Sequence, residues 1–214
     1  MIDETPGALV LCGGESRRMG RPKAWLNLGS ETLLQRAVRL LEPVSSPIVV
    51  VAAEGQDLPD LANKARVVRD RAPGLGPLEA LRAGLEALEG LAEWAYVCGT
   101  DAPFLEPAWV RTLVRLKPGY DLVLPVEGDR MHPLAALYRL RPTRSAAETM
   151  LAEDDRRLSA LADRLRTLRL DVESLRPVDP ALATLRNLNH PSDYERAVRD
   201  LGSSVNSFGP HRGS

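Results

Sequence analysis

Short apolar runs alternate with amphipathic stretches along most of this sequence, and that alternation constrains the fold more than any other feature. Residues 48–51 form a continuous β-branched run, as in a strand that is buried on both faces. Residues 32–41 place apolar side chains at the spacing of an amphipathic helix. Strands and helices in strict succession form mostly parallel sheets with helices on both faces. The sequence therefore predicts a three-layer, doubly wound α/β fold with a mostly parallel sheet.

The same patterns predict the remaining elements and the extent of the folded domain. We expect strands at residues 8–12, 48–51, 66–68, 94–98, 121–125, 134–138 and 168–172. We expect helices at residues 32–41, 78–88, 107–116, 142–151 and 158–165, and a last one from about residue 192. These elements belong to one domain over residues 1–201. Residues 202–214 are rich in Ser, Gly and Pro, and we expect them to form a disordered tail.

The composition excludes several classes of partner. The formal net charge is -1, so bulk electrostatics give no reason to expect binding to nucleic acid or to a membrane surface. No apolar run approaches the roughly 20 residues of a membrane helix, and the acidic N-terminus does not resemble a signal peptide. We therefore expect a cytoplasmic protein. Cys12 and Cys98 end two apolar runs, and we expect them to be reduced core residues.

A glycine-rich segment at residues 11–23 follows the first predicted strand directly. Glycines let the backbone come close to a ligand, and successive free N–H groups form a concave anion site. The segment has neither the closing Gly-Lys-Ser/Thr of a P-loop nor a Gly-x-Gly-x-x-Gly pattern. It therefore predicts a phosphate-binding loop of another kind. Its candidate phosphate ligands are Gly13, Gly14, Ser16, Arg18 and Lys23.

Asp101 follows the fourth predicted strand, at residues 94–98. A carboxylate at the carboxyl end of a strand is well placed to hold Mg²⁺, which takes one or two carboxylates together with phosphate oxygens. In doubly wound sheets the first and fourth strands are often neighbours where the strand order reverses. We therefore expect Asp101 to face the glycine-rich segment. The alternative is a turn residue that binds backbone N–H groups.

Three further segments contain candidate ligands, each with an open alternative. Asp70 precedes a turn rich in Pro and Gly, and it could bind a ribose or a base or simply belong to that turn. Asn187 and Asn189 alternate, so their oxygens could complete a cation site. The alternative is that Asn189 or Ser192 caps the helix that follows. His132 could contact a second substrate or be structural.

The pattern Gly13-Gly14-x-Ser16-x-Arg18-Met19-Gly20-x-x-Lys23 resembles the signature of molybdenum cofactor guanylyltransferases. These belong to a wider group of nucleotidyltransferases with a glycosyltransferase-A-like α/β fold of the nucleotide-diphospho-sugar transferase type. Counterparts of other family segments follow in order over most of the chain. They are Asp70, Gly76-Pro77-Leu78, Asp101-Ala102-Pro103, His132-Pro133 and Asn187-x-Asn189-x-Pro191.

The resemblance implies a reaction in which GTP and molybdopterin with its molybdenum give the guanine dinucleotide form of the cofactor and pyrophosphate, with Mg²⁺. It implies that Asp101 holds the metal. From the residues themselves we expect Lys23, Arg18 and Asp101 to be the catalytic residues, and Asn189 to be a further metal ligand. His132 and Asn187 are assigned to the second substrate. Molybdoenzymes or other proteins of the cofactor pathway are the implied protein partners. The nucleotide contacts implied by the resemblance are Leu11, Cys12, Gly13, Lys23, Asp70 and Asp101. We expect further nucleotide contacts from Gly14, Ser16, Gly76, Pro77 and Leu78.

The chain departs from the family pattern at three places. Cys12 stands where the family usually has Ala, and Ala52-Ala53 stand where it often has Asn after the second strand. Pro22 precedes the lysine, as in some cytidylyl-transferring relatives, whereas guanylyl enzymes often have Asp there. The doubled glycine at Gly13-Gly14 and the Asn187-x-Asn189 pair follow the guanylyl pattern. The alternatives are a cytidylyltransferase or sugar-phosphate nucleotidyltransferase, and a non-catalytic nucleotide-binding module.

Overall fold

The computed structural model describes residues 5–13, 22–70 and 76–206. These residues form a mixed α/β fold in which helices flank a central, mostly parallel sheet, as the sequence predicts. The strands are β1 (Gly7–Leu11), β2 (Asn27–Leu28), β3 (Glu31–Thr32), β4 (Ile48–Ala53), β5 (Arg66–Asp70), β6 (Trp94–Gly99), β7 (Leu122–Glu127), β8 (Arg130–Met131), β9 (Ala135–Arg139) and β10 (Thr167–Asp171). The α-helices are α1 (Leu33–Leu41), α2 (Pro77–Ala87), α3 (Pro107–Leu116), α4 (Leu140–Ala152), α5 (Leu161–Arg164) and α6 (Pro191–Asn206).

The strand order places the carboxyl ends of β1 and β6 side by side. The order is β10-β7-β9-β6-β1-β4-β5, with β8 paired to β7. The chain runs from β1 outward to β4 and β5, then returns to β6 on the other side of β1, and this parallel pairing puts Leu11 opposite Gly99. Ligands of doubly wound sheets bind where the strand order reverses in this way. The predicted neighbourhood of the first and fourth long strands is therefore confirmed.

Alternation along the central strands divides the core between the two faces of the sheet. In β1, Ala8 and Val10 pack in the cluster that contains Trp109 of α3, whereas Leu9 and Leu11 pack in the cluster that contains Leu81 of α2. Both faces are therefore covered by helices, which explains why β1 is buried along its whole length.

A smaller cluster joins the end of the chain to the segment that follows the glycine-rich loop. Leu28 and Leu33, near the β2–β3 hairpin, pack with Leu188 and with Ala197 of α6. The hydroxyl of Tyr194 donates to the backbone carbonyl of Asn27. Since α6 begins directly after the Asn187-x-Asn189 segment, this packing brings that segment beside Lys23.

Several local expectations differ from the structure. The short hairpin strands β2, β3 and β8 have no clear periodicity and were not predicted. Strand β9 runs antiparallel to β6 and β7 because the β7–β8 turn reverses the chain. Helix α4 begins at Leu140, with Pro142 in its first turn, where a missing N–H costs little. The predicted helix at 158–165 is a 3₁₀ turn over Leu158–Ala160 followed by the short α5.

Other expectations concern the chain as a whole. Cys12 and Cys98 are free and buried, as predicted for core residues. Helix α6 continues to Asn206, past the domain boundary expected at residue 201, and residues 207–214 lie outside the described residues. The single-domain division stays a prediction. No helix in the described part of the chain is long and apolar enough to cross a membrane, and the cytoplasmic location stays a prediction.

Candidate active site

Lys23, Asp101 and Asn189 meet at the carboxyl edge of the sheet, where β1 and β6 lie side by side. The Nζ atom of Lys23 donates to Oδ2 of Asp101 at 2.8 Å and to Oδ1 of Asn189 at 3.1 Å. The side chains of Lys23 and Asp101 are 21% and 20% exposed, so a ligand can reach this ion pair. The sequence predicts that Asp101 faces the segment ending at Lys23, and the structure places both side chains together.

The turn after β6 fits Asp101 closely against the end of the strand. A Cβ added to Gly99 would lie 2.5 Å from Oδ1 of Asp101, so this position requires glycine if the carboxylate is to keep its place. The hydroxyl of the intervening Thr100 is buried and donates to the carbonyl of Leu11 at 3.4 Å. The turn is therefore tied to the end of β1, and the direction of the Asp101 side chain follows from it.

Two other segments hold the backbone around Asp101. The N–H of Leu188 donates to the carbonyl of Asp101 at 2.9 Å. The Nε of Arg36, on α1, donates to the carbonyl of Pro103 at 2.7 Å. The carboxylate therefore sits on a backbone that is fixed from both sides.

Asn189 is free to use its amide oxygen because another residue caps α6. Oδ2 of Asp193 accepts from the N–H of Asn189 at 3.1 Å and from that of His190 at 2.9 Å, which is half of a capping box. The backbone N–H groups, that of His190 first, lower the pKa of Asp193. The structure thus directs the Asn189 side chain to Lys23 rather than to the helix. Asn187 is exposed and lies outside this contact.

The end of β1 is fixed by β4 and by the loop after it. The N–H of Cys12 donates to the carbonyl of Val51 at 2.7 Å. The Nε2 of Gln56 donates to the carbonyl of Cys12 at 3.1 Å, and Oε1 of Gln56 accepts from the N–H of Ala53 at 3.1 Å. Gly13 follows at the surface, and a Cβ built on it meets nothing within 4 Å.

Sequence reasoning missed Gln56. In the sequence, Gln56 is a polar residue shortly after the strand-like run at residues 48–51. Such residues are common in turns, so the pattern does not single it out. Burial raises the pKa of the Cys12 thiol, while hydrogen bonds from Thr100 and Gln56 act in the opposite direction. The thiol is therefore neutral near pH 7, and Cys12 remains a core residue whose backbone faces the site.

Asp70 lies at the same edge of the sheet, at the end of β5 and opposite Ala53 of β4. Gly76 precedes α2 with a φ of 82°, and Pro77 begins the helix. Both are exposed, whereas Leu78 is buried in the core. A contact of Leu78 with a nucleotide would therefore have to come from its backbone.

His132 lies near the start of β9, on the side of β6 that faces away from β1, β4 and Asp70. Cys98 of β6 pairs with Ala135, so the antiparallel strand β9 begins at the edge where β6 ends. The side chain of His132 is 9% exposed, and its Nε2 is 3.9 Å from Oε2 of Glu127. Among the described residues this Nε2 has no hydrogen-bond partner. Burial first, and then Arg130, lowers the pKa of His132, so the imidazole is neutral near pH 7.

Two buried aromatic side chains hold the backbone around His132. The indole Nε1 of Trp109 donates to the carbonyl of Ala135 at 3.1 Å, and the hydroxyl of Tyr138 donates to that of Pro133 at 2.8 Å. The imidazole is therefore carried by a rigid turn, not by a loose loop.

Comparisons with known proteins decide the family. The family model described as "MobA-like NTP transferase domain" matches residues 8–169. The chain belongs to this family. A probable molybdenum cofactor guanylyltransferase of Mycobacterium tuberculosis (strain H37Rv) is 41% identical to this MobA-like transferase over 175 residues, which are 79% of this chain and 85% of that relative. A relative of the same name from Mycobacterium marinum is 39% identical over 196 residues, covering 89% and 92% of the two chains.

A solved structure agrees with this assignment. The crystal structure of molybdopterin-guanine dinucleotide biosynthesis protein A from Archaeoglobus fulgidus matches with a TM-score of 0.76 and 25% identity, over 92% of this chain and 99% of that one. The chain is therefore a nucleotidyltransferase by family as well as by fold.

Part of the predicted phosphate loop falls outside the described residues. Gly14, Ser16 and Arg18 lie within residues 14–21, so their roles stay predictions. The two ends of the loop, Gly13 and Lys23, are described, and they lie at the carboxyl edge of β1 and beside Asp101.

The oxygens of Asp101 and Asn189 converge on one cation, the ammonium of Lys23. A carboxylate oxygen and an amide oxygen are hard ligands of the kind that Mg²⁺ accepts. Over residues 5–13, 22–70 and 76–206, no group of three or more His, Cys, Asp or Glu side chains is placed to hold a metal ion. These two oxygens therefore have the chemistry to bind a divalent cation.

Proposed function

We propose that this MobA-like transferase moves GMP from GTP to molybdopterin with its molybdenum, which yields the guanine dinucleotide form of the cofactor and pyrophosphate. The observation that carries the proposal is the contact of Lys23 with Asp101 and Asn189, directly after the predicted phosphate loop. Relatives at about two-fifths identity that are named as guanylyltransferases support guanine over other bases. Proteins that receive the product, molybdoenzymes or other pathway proteins, stay a prediction.

The chemistry requires neutralisation of phosphate charge more than covalent help. A phosphate oxygen of the pterin forms a bond to the α-phosphorus of GTP, and the bond from that phosphorus to pyrophosphate breaks. Lys23 supplies a mobile positive charge at the accessible edge of the site. We assign it to the leaving phosphates, together with Arg18, the Ser16 hydroxyl, and the backbone N–H groups of Gly13 and Gly14.

Asp101 and Asn189 are the residues that would hold Mg²⁺. The bound ion supplies further neutralisation of the phosphate oxygens. Nζ of Lys23 lies within hydrogen-bond distance of both oxygens, so the ammonium and the ion would compete for them. Pairing of Lys23 with the phosphates therefore frees both oxygens for the metal.

The two substrates are assigned to opposite sides of the β1–β6 junction. Asp70, the backbone of Leu11 and Cys12, and the 76–78 turn lie on the β4–β5 side, and we assign the nucleoside to them. His132 lies on the β9 side, where its neutral imidazole can exchange hydrogen bonds with the pterin. Asn187 is assigned to the same substrate.

Pyrophosphate release tests the proposal directly. Purified protein with Mg²⁺ and molybdopterin is given GTP, CTP, ATP or UTP, and release is expected with GTP. Removing a preorganised charged group costs on the order of 10²-fold in rate or more, so Lys23→Ala should lose at least that much. Lys64→Ala is the matched control, because it removes a lysine ion pair with Glu42 at 3.0 Å, away from the site.

Each other outcome contradicts a specific part of the proposal. Release with CTP alone would identify a cytidylyltransferase. Thermal stabilisation by GTP without any release on adding molybdopterin would identify a nucleotide-binding module. Full activity of Lys23→Ala would show that this lysine does not bind the reacting phosphates.

A further inference from the structure

The side chain of Gln56 ties the carboxyl ends of β4 and β1 together. Residues 53–56 form a turn in which the N–H of Gln56 donates to the carbonyl of Ala53 at 3.2 Å, and Gly55 has a φ of 71°. The carboxamide folds back over this turn. Its Oε1 accepts from the N–H of Ala53 at 3.1 Å, and its Nε2 donates to the carbonyl of Cys12 at 3.1 Å and contacts the Cys12 sulfur at 3.5 Å.

The carbonyl of Cys12 belongs to the peptide that opens the phosphate loop. A trans peptide is planar, and its C=O and N–H point in opposite directions. Fixing the Cys12 carbonyl on Gln56 therefore fixes the direction of the Gly13 N–H on the other side. Without that bond this peptide could rotate more freely, because glycine tolerates a wide range of φ and ψ.

The turn that carries Gln56 is itself rigid. Arg69, on β5, donates to the carbonyls of Ala53 at 3.1 Å and of Gln56 at 2.7 Å. The indole of Trp25 donates to the carbonyl of Asp57 at 3.1 Å. The backbone on both sides of the Gln56 side chain is thus held before any ligand binds.

We infer that Gln56 is a positioning residue for the nucleotide: its carboxamide holds the Cys12 carbonyl so that the Gly13 N–H is aimed at the phosphates of the bound nucleoside triphosphate. This inference rests on the proposed function, since it needs GTP at the loop. It assigns a role to the loop that follows β4. The residue acts through the backbone and does not touch the reacting atoms.

Two variants and a matched control test the inference. Gln56→Met keeps the length of the side chain and removes both hydrogen bonds. Gln56→Glu keeps the acceptor for the Ala53 N–H but places a carboxylate against the Cys12 carbonyl. Gln35→Met is the control, because the Gln35 carboxamide also bonds two backbone groups, the N–H of Thr32 and the carbonyl of Asp60, and neither belongs to the peptide between Cys12 and Gly13.

Steady-state kinetics with GTP, molybdopterin and Mg²⁺ separate positioning from a structural role. Loss of one oriented hydrogen bond weakens binding by about tenfold. Both Gln56 variants should therefore raise the KM for GTP by about that factor. The KM for molybdopterin should change less than about twofold, because the Gly13 N–H is assigned to the phosphates of GTP and not to the second substrate. Gln35→Met should leave the KM for GTP unchanged, and the Tm should fall by a similar amount in both methionine variants.

The outcomes distinguish the two claims. An unchanged KM for GTP in both Gln56 variants, with transfer intact, overturns the inference and leaves the proposed function standing. A fall in Tm much larger than that of Gln35→Met, with kcat and both KM values moving together, shows a merely structural role and also overturns it. A wild-type protein that releases no pyrophosphate from GTP in the presence of molybdopterin and Mg²⁺ overturns the proposed function, and the inference with it.

Discussion

Replacing Gly99 with alanine should displace the Asp101 carboxylate without unfolding the protein. The new Cβ would lie 2.5 Å from Oδ1 of Asp101, whereas ordinary Cβ contacts begin near 3.4 Å. The carboxylate must therefore move by roughly 0.9 Å. It can do so by side-chain rotation, since the backbone of Asp101 is held by the N–H of Leu188.

The expected effect of this movement is on catalysis. Asp101 Oδ2 lies 2.8 Å from Nζ of Lys23, and a shift approaching 1 Å away from Lys23 takes this contact beyond hydrogen-bond distance and moves the proposed metal ligand. A misplacement of about 1 Å costs on the order of 10²-fold in rate. The kcat/KM for GTP should fall by about that factor, which corresponds to about 2.7 kcal/mol of transition-state stabilisation.

Gly7→Ala is the matched control for this substitution. Gly7 is also a buried strand glycine, but its Cβ would meet the Leu88 methyl groups at 3.0 and 3.2 Å, at the far end of β1. The control should lose some Tm and keep its activity, whereas Gly99→Ala should keep its Tm and lose activity. Full pyrophosphate release by Gly99→Ala at wild-type Mg²⁺ would refute the reasoning, as would a Tm loss larger than that of the control.

Two further predictions concern the loop and the second substrate. Gly13→Ala should leave the Tm unchanged, because its Cβ meets nothing within 4 Å, and should raise the KM for GTP by crowding the approach of phosphate; an unchanged KM would remove Gly13 from the binding surface. Burial and Arg130 lower the pKa of His132, and the charge of Glu127 offsets only part of this effect. As the pH falls, His132 is therefore protonated in the unfolded chain before it is protonated in the folded protein. Stability should therefore fall as pH drops through about 6.5, the ordinary pKa of histidine, and His132→Gln should lessen that fall in thermal unfolding and raise the KM for molybdopterin. Parallel pH curves for the two proteins would contradict the assignment of the shift to His132.

The sequence by itself determined the fold class and the place of the main catalytic candidates. Period-2 and period-3.6 patterns are local, and so is a glycine-rich segment that follows a strand; these features predicted the strands, the phosphate loop and Asp101 at a strand end. The resemblance carried by the segment ending at Lys23 predicted the family, which the comparisons confirm. The roles of single residues within the site stay predictions.

Only the tertiary structure decided which distant groups meet. Lys23 contacts a carboxylate 78 residues away and an amide 166 residues away, and these contacts depend on strand order and on the packing of α6 against the β2–β3 hairpin. The reversal of β9, which brings His132 to the same edge, follows from a turn between strands and not from the periodicity of either one. The role of Gln56 depends on a contact between the ends of two adjacent strands, because its carboxamide bonds the carbonyl of Cys12, 44 residues away in the chain. Such pairings are set by the balance of packing over the whole sheet, and no local pattern in the sequence records them.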